Sequence, residues 1–484
     1  METGKHLILK GGNVVCGKEV LRADIYIDGD RIAAIVPPDS AGSQAFPSAM
    51  ENIFFQDAEV ADMSGLTLMP GGIDAHVHFR QPGMTEKADI ASESTAAVLG
   101  GITSFVDMPN TKPPTTILER LEEKYAIAAK SSIANYGFHI GATADGSFPD
   151  LPQESGTPAF GLKVFMGSST GNLLIDNDAA LRKIFRDSPL PVLVHSEDEA
   201  LIKAGLENVK ARFGDDIPFS CHPLARPREA CIKATRKAIS LAGEYGTRLH
   251  ILHVSTAEEV SLIRSAKSVY PGITAETSAN YLWFSSEDYP RLGARIKCNP
   301  AIKDPSDRAA LLEGIKDGTI DTIGSDHAPH LPAEKEAPYL CCPSGIPSIQ
   351  QSLPVLITIA REHGIPLPRI AGLMATAPAR ILGIRDRGAL APGMMADIVA
   401  IDTDERFTAG SGQPDMTSGT AYKCGWTPYE GTELYGAIKH VLVNGVFEVR
   451  DGRLTGNSAA KALCRQPQFQ ARTTGAGPGS HVRA

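Results

Sequence analysis

Residues 66–384 alternate apolar, strand-like runs with helical stretches, and eight such units fit into about 320 residues. Parallel strands need a crossover between one strand and the next, and a helix is the usual crossover. Eight strand–helix units are the number that closes into a (β/α)8 barrel of the TIM type. The predicted strands are 66–79, 103–109, 136–143, 161–167, 192–196, 248–255, 273–279 and 322–329, and the predicted helices include 87–99, 117–129, 228–243, 257–269 and 308–316.

Shorter strand-like runs, broken by Gly and Asp turns, occupy both ends of the chain. Residues 1–65 and 385–458 share this pattern and flank the barrel region at 66–384. Because the two ends look alike, we predict that together they form one small β-sandwich domain beside the barrel, in an α/β fold. Residues 459–484 become rich in glycine and predict a disordered tail.

The composition is that of a globular protein, with 42% hydrophobic and 21% charged residues. A net charge of −9 without a dominant basic patch argues against a nucleic-acid partner, although a local cation can still bind a small anion. No run of about 18 apolar residues occurs and residues 1–10 lack a signal-peptide core, so we expect a cytoplasmic protein without a membrane partner. The eight cysteines show no Cys-x-x-Cys spacing and predict free thiols.

Residues 73–80 read Ile-Asp-Ala-His-Val-His-Phe-Arg and follow a Pro-Gly-Gly break. Side chains alternate faces along a strand, so His76, His78 and Arg80 share one face. Two imidazoles beside a guanidinium form a candidate metal-ligand pair next to an anion-binding group. Two surface histidines in a loop are the alternative interpretation of this segment.

Lys163 lies within an apolar strand, Phe-Gly-Leu-Lys-Val-Phe-Met-Gly. A buried lysine is costly unless it is paired or modified. One interpretation is a lysine carboxylated by CO₂, which would bridge two cations. The alternative, favoured by its frequency in proteins, is a lysine that reaches solvent at a strand edge.

Further candidate ligands stand at the ends of other predicted strands, where the active sites of such barrels lie. His195 closes Pro-Val-Leu-Val-His, and His253 lies nearer the strand end than His250, which has the opposite parity. Residues 324–330, Gly-Ser-Asp-His-Ala-Pro-His, place Asp326 and His330 after the eighth strand. Asp326 could bind a metal and take a proton from metal-bound water.

These side chains form one predicted ligand set of nitrogen and oxygen donors, which suits a pair of Zn²⁺ ions about 3.5–4 Å apart. The set consists of His76, His78, Lys163, His195, His253 and Asp326. Six other histidines lack this placement and are interpreted as structural: His6, His139, His222, His363, His440 and His481.

With these residues in view, the chain resembles the amidohydrolase superfamily, and within its cyclic-amide hydrolases it is most similar to the dihydroorotases. The resemblance spans essentially the whole chain. The motifs that carry it are Gly-Ile-Asp-Ala-His-Val-His-Phe-Arg-Gln-Pro-Gly at 72–83, Asp-Met-Pro-Asn-Thr at 107–111, the lysine strand at 161–171, Lys-Cys-Asn-Pro at 297–300 and the motif at 324–330.

The resemblance implies a role for each matching residue. His76 and His78 would hold the more buried zinc, His195 and His253 the more exposed zinc, and carboxylated Lys163 would bridge the two. Asp326 would be both a ligand and the general acid/base. Arg80, Asn110 and His330 would bind the substrate carboxylate, and Asn299 would contact the ring.

The implied reaction is the interconversion of N-carbamoyl-L-aspartate and L-dihydroorotate in pyrimidine biosynthesis, by a homo-oligomer with two Zn²⁺ per subunit. An arginine fork suits a planar carboxylate, so Arg80 would select the substrate.

Two stretches depart from the dihydroorotase pattern. Residues 276–282, Glu-Thr-Ser-Ala-Asn-Tyr-Leu, look partly like hydantoinases, and Cys341-Cys342 is unexpected in the active-site loop. An allantoinase or a hydantoinase/dihydropyrimidinase is therefore one alternative, which Arg80 disfavours because uncharged rings need no cation there. A non-catalytic scaffold relative is another, although such proteins tend to lose metal ligands.

Overall fold

A barrel of eight parallel strands dominates the computed structural model, which describes residues 6–38, 57–150, 157–168 and 173–466. The strands follow one another around the sheet in chain order. The first and last meet where His78 N–H donates to His327 O, 2.8 Å away. This bears out the predicted barrel. With the strands numbered along the whole chain, the barrel strands are β6 (Gly72–Val77), β7 (Ile102–Asp107), β8 (Asn135–Gly141), β9 (Ala159–Phe165), β10 (Val192–His195), β11 (Leu249–Ile251), β12 (Ile273–Thr277) and β13 (Thr322–Ile323).

Helices surround the barrel and bury their apolar sides against it. Several begin at a side-chain cap, as at Asp89, whose carboxylate accepts from Ser92 N–H. No helix in the described part of the chain is long and apolar enough to cross a membrane. The helices are α1 (Ile90–Leu99), α2 (Leu118–Ser131), α3 (Asp178–Asp187), α4 (Glu199–Phe213), α5 (His222–Ala225), α6 (Arg228–Tyr245), α7 (Ala257–Val269), α8 (Ala279–Trp283), α9 (Tyr289–Leu292), α10 (Pro305–Asp317), α11 (Pro332–Lys335), α12 (Ile349–His363), α13 (Leu367–Ala371) and α14 (Ala377–Leu382).

Both ends of the chain build a second sheet, as predicted, with the order β17-β16-β15-β14-β5-β1-β2-β3 and with β4 also paired to β1. Its core is a separate apolar cluster that includes Leu9, Ile25 and Ile398. The strands are β1 (His6–Cys16), β2 (Glu19–Asp28), β3 (Arg31–Val36), β4 (Glu59–Asp62), β5 (Thr67–Pro70), β14 (Ile398–Thr408), β15 (Glu433–Val443), β16 (Val446–Arg450) and β17 (Arg453–Leu454).

The single strand predicted at 66–79 is in fact two strands in different sheets. β5 pairs with β1 and β14, whereas β6 pairs with β7 in the barrel. The chain crosses between the sheets at Gly71, where a Cβ would lie 2.2 Å from Thr103 Oγ1. The barrel therefore begins at Gly72 rather than at residue 66.

Residues 459–466, which the sequence analysis assigned to a disordered tail, lie against the barrel instead. Leu463 is 1% exposed, and its N–H donates to Tyr136 O at 2.8 Å. Burial of this apolar side chain beside β8 orders the segment, so that part of the prediction is wrong. Residues 467–484 lie outside the described residues.

The segment 409–432, between β14 and β15, leaves the second sheet and packs against the barrel. Trp426 Nε1–H donates to His330 O at 2.8 Å, and Tyr429 O–H donates to Asn280 Oδ1 at 2.7 Å. Part of the region predicted as β-sandwich therefore contributes to the surroundings of the barrel's candidate site.

Candidate metal centre and substrate pocket

All of the predicted site residues except His330 line one cavity at the carboxyl ends of the barrel strands. His330 adjoins it, with its Nε2 3.1 Å from Arg80 Nη2. The carboxyl ends of parallel strands open on the same side of a barrel, so side chains distant in sequence converge there. The cavity residues from the prediction are His76, His78, Arg80, Asn110, Lys163, His195, His253, Asn299 and Asp326.

His76, His78 and Asp326 form a group suited to one metal ion. Asp326 Oδ1 lies 3.2 Å from Nε2 of each histidine. Donors bound to one tetrahedral Zn²⁺ at 2.0–2.2 Å are about 3.3–3.5 Å apart, so the spacing fits this metal.

The other ring nitrogen of each histidine is held by an acceptor. His76 Nδ1 lies 2.6 Å from Glu276 Oε1, and His78 Nδ1 lies 2.7 Å from Asn110 Oδ1. Because these oxygens accept, the ring protons reside on Nδ1, and the Nε2 lone pairs face Asp326. Asn110, predicted to touch substrate, thus also orients a metal ligand.

His195 and His253 form a second donor pair. Their facing nitrogens, His195 Nδ1 and His253 Nε2, are 2.9 Å apart. His195 Nε2 lies 2.9 Å from Glu197 Oε2, so its proton is on Nε2 and its Nδ1 lone pair is free to bind. Burial lowers the pKa of both imidazoles, which keeps them neutral as metal ligands require.

Lys163 is 1% exposed, so the alternative of a lysine that reaches solvent is wrong. Its Nζ lies 4.7 Å from the centre of the Phe165 ring and forms no ion pair with a carboxylate of the described residues. Burial lowers the pKa of the amine to about 7, which makes a neutral, nucleophilic amine available at physiological pH.

Three of the six non-glycine residues with a positive φ in the described part of the chain lie at the site. Arg80, His253 and Asp326 have φ values of 64°, 39° and 48°. Such left-handed conformations are unfavourable for residues other than glycine, and they persist where the surroundings enforce them. All three side chains line the cavity.

The carboxylates behind the histidines were not predicted from the sequence. Besides Glu276, these include Glu197, whose carboxylate accepts from Nε and Nη2 of the buried Arg226. Acidic residues at the ends of β12 and β10 were the available signal, since metal-bound histidines usually donate to such partners. His250, by contrast, is structural as expected, with Nδ1 2.8 Å from Thr274 Oγ1.

Comparison with known proteins shows the family to which the chain belongs. The model of the amidohydrolase family matches residues 67–447, which include every predicted site residue. The chain belongs to the amidohydrolase family.

Relatives in this family carry different activities. A dihydroorotase of Methanosarcina mazei is 36% identical over 387 residues, which are 77% of this chain and 82% of the relative. An allantoinase of Solibacter usitatus is 31% identical over 464 residues, covering 94% of this chain and 96% of the relative. Among solved structures, the L-hydantoinase (dihydropyrimidinase) of Arthrobacter aurescens is 26% identical with a TM-score of 0.83, over 95% of this chain and 99% of that one.

The two departures noted in the sequence lie outside the lining of the amidohydrolase cavity. Asn280 donates from Nδ2 to Ser325 O at 3.3 Å and accepts from Tyr429, so it links α8 to the turn that follows β13. Cys342 is buried and Cys341 exposed in the loop at 331–345. Nothing in their contacts gives these thiols a chemical role.

Proposed function

We propose that this amidohydrolase is a zinc-dependent cyclic-amide hydrolase, specifically a dihydroorotase. It would interconvert N-carbamoyl-L-aspartate and L-dihydroorotate in the cytoplasm, as a homo-oligomer. The observation that carries the choice of substrate is Arg80, a buried cation in the wall of the cavity.

Arg80 is 2% exposed, and burial lowers its pKa only to about 10, so it remains charged at neutral pH. It donates from Nε to Pro329 O at 3.2 Å, and no carboxylate of the described residues forms an ion pair with it. A buried, unpaired charge is strongly unfavourable. A substrate carboxylate would supply the missing partner, which a neutral ring cannot do.

The predicted ligand set would suit two Zn²⁺ ions, which His76 and His78 would hold on one side and His195 and His253 on the other. Asp326 would complete the first site, and Lys163, carboxylated by CO₂, would bridge both. When bound, the ions would supply Lewis-acid polarisation of the amide carbonyl and a water nucleophile active at neutral pH.

The chain's own groups perform the remaining tasks. Asp326 accepts the proton of the attacking water at its carboxylate and passes it to the departing amide nitrogen. Glu276 and Glu197 hold His76 and His195 in the tautomers that present a lone pair to the cavity. Asn299, whose buried Oδ1 has no hydrogen-bond partner within the described structure, would accept from a ring N–H.

The test is a direct comparison of substrates, with zinc content measured on the same sample. We expect turnover of L-dihydroorotate and N-carbamoyl-L-aspartate, little with hydantoin or allantoin, and two zinc ions per chain. Arg80→Met should raise KM for dihydroorotate by about tenfold or more, because a charge-assisted pair is lost.

Turnover of allantoin or hydantoin without dihydroorotate would reject the proposal in favour of the activities of the other relatives. A zinc-free, inactive protein that Zn²⁺ does not activate would support the scaffold alternative.

A further inference from the structure

Lys87, in the loop between β6 and α1, lies against His330 in a way that the ligand set does not explain. Its Nζ is 3.3 Å from His330 Nδ1 and 2.5 Å from Glu334 Oε1. The side chain of His330 is 2% exposed, and its other nitrogen faces the cavity residue Arg80. Lys87 thus stands directly behind one of the predicted carboxylate-binding residues.

The contacts of His330 determine its tautomer. Burial, reinforced by Arg80, strongly lowers the pKa of the ring, so it is neutral and carries one proton. An ammonium group only donates, so Nδ1 must accept from Lys87 and the proton must be on Nε2. There it can be donated to Ser344 O, 3.2 Å away. The other tautomer would turn Nδ1–H toward the Lys87 ammonium and leave Ser344 O without a donor from the ring, although Nε2 could then accept from Arg80.

The Nε2 tautomer has a consequence for Arg80. Arg80 Nη2 and His330 Nε2–H are then two donors 3.1 Å apart, and neither can accept from the other. Two adjacent donors of this kind, one of them charged, are suited to one oxygen of a carboxylate. In the Nδ1 tautomer, His330 Nε2 would accept from Arg80, and neither group would then be available to donate to a ligand.

We propose that Lys87 is a positioning residue that determines affinity for the carboxylate, by holding His330 in the Nε2-protonated tautomer. The assignment rests on the proposed function for its substrate. Lys87 acts through His330 and does not contact the substrate itself.

Glu334 holds Lys87 in place. Its Oε1 pairs with Lys87, while its Oε2 accepts from Leu331 N–H at 2.9 Å, at the start of α11. The carboxylate thereby joins the β6–α1 loop to the loop that contributes Ser344 and Gly345 to the cavity. The pair also balances the lysine charge, so the local field of Arg80 remains available to an anion.

The experiment compares Lys87→Met with Lys87→Arg, which keeps a cationic donor, and with the control Lys423→Met. Lys423 pairs with Asp89 at 2.6 Å in the same region and has no contact with His330. We expect Lys87→Met to raise KM for dihydroorotate and the inhibition constant of orotate by about tenfold, with kcat changed less than threefold. Lys87→Arg should recover most of the affinity, and the control should match the wild type.

The tautomer is measured independently of activity by ¹⁵N NMR of histidine-labelled holoenzyme, with His330→Gln to assign the signal. We expect Nε2 protonation in the wild type and in Lys87→Arg, and a shift toward Nδ1 protonation in Lys87→Met. Nδ1 protonation in the wild type, or an unchanged KM in a folded Lys87→Met, would overturn the inference. If the wild type did not act on dihydroorotate, the proposed function would fail while the NMR comparison still decided the tautomer.

Discussion

At the scale of single residues, the site combines strained backbone, neutral imidazoles and buried charge in a small volume. Asp326 has a left-handed φ of 48° and places one oxygen 3.2 Å from the Nε2 atoms of both His76 and His78. A carboxylate fixed at that point can hold a metal and transfer a proton. The conformation costs stability, which the surrounding hydrogen bonds must offset.

Asp326→Asn should preserve the fold and lower turnover by about 10² or more, because the amide cannot take the proton. The measurement is kcat on dihydroorotate beside a thermal melt. Asp386→Asn is the matched control, since Asp386 also has a positive φ, of 59°, but pairs with Arg31 at the surface. Near-normal turnover in Asp326→Asn would remove this carboxylate from the proton transfer.

Glu448, which is remote from the cavity, makes the stability of the protein depend on pH. Burial raises its pKa to about 7, and its Oε1 accepts from Ala459 N–H. The folded state therefore binds more protons than the unfolded state between about pH 4.5 and 7, and this carboxyl lowers stability as the pH rises through that window.

Glu448→Gln should remove this dependence, so its melting temperature should exceed that of the wild type at pH 8 and approach it at pH 5. Melts at the two pH values measure the effect. Glu287→Gln, at an exposed position, is the control. An equal difference between Glu448→Gln and the wild type at both pH values would contradict the assignment.

At the scale of elements, the short connections matter as much as the strands. Gly71 joins β5 to β6. The last barrel strand, β13, pairs with β12 only at Thr322–Ile323 before the chain turns. At Gly324 a Cβ would lie 2.5 Å from Glu276 Oε2, so the turn needs a glycine there. These close approaches bring the ends of β12 and β13 together behind His76.

Gly71→Ala should destabilise the fold by about 1–3 kcal/mol, because its Cβ overlaps the Thr103 side chain. Urea unfolding measures the loss, and a second substitution, Thr103→Gly, should recover part of it. Gly243→Ala, in α6 with open space around it, should be neutral or stabilising. A stable Gly71→Ala would show that the crossing between the sheets has room to adjust.

At the scale of the whole molecule, the proposed zinc ions would cross-link strands that are distant in sequence. Their ligands come from the ends of β6, β9, β10, β11 and β13. A ligand that binds only the folded state stabilises it by mass action. Metal binding and the stability of the barrel would therefore be coupled.

Removal of zinc by a chelator should abolish turnover and lower the melting temperature by several degrees, and added Zn²⁺ should restore both. His195→Ala should reduce the zinc content from two ions per chain to one. His363→Ala, at an exposed position, should leave it unchanged. Unaltered stability and activity after verified zinc removal would contradict a role for the metals.

The barrel, the second sheet and a set of candidate metal ligands could be predicted from the sequence alone. Strand–helix alternation and motif chemistry are local properties, and His76, Lys163 and Asp326 stand in patterns that can be recognised without neighbours. The tertiary structure was needed to find the crossing at Gly71, the ordered segment at 459–466, the carboxylates behind the histidines and the contacts of His330. Each of these depends on atoms that are distant along the chain and meet only when the barrel closes, so no local pattern could encode them alone.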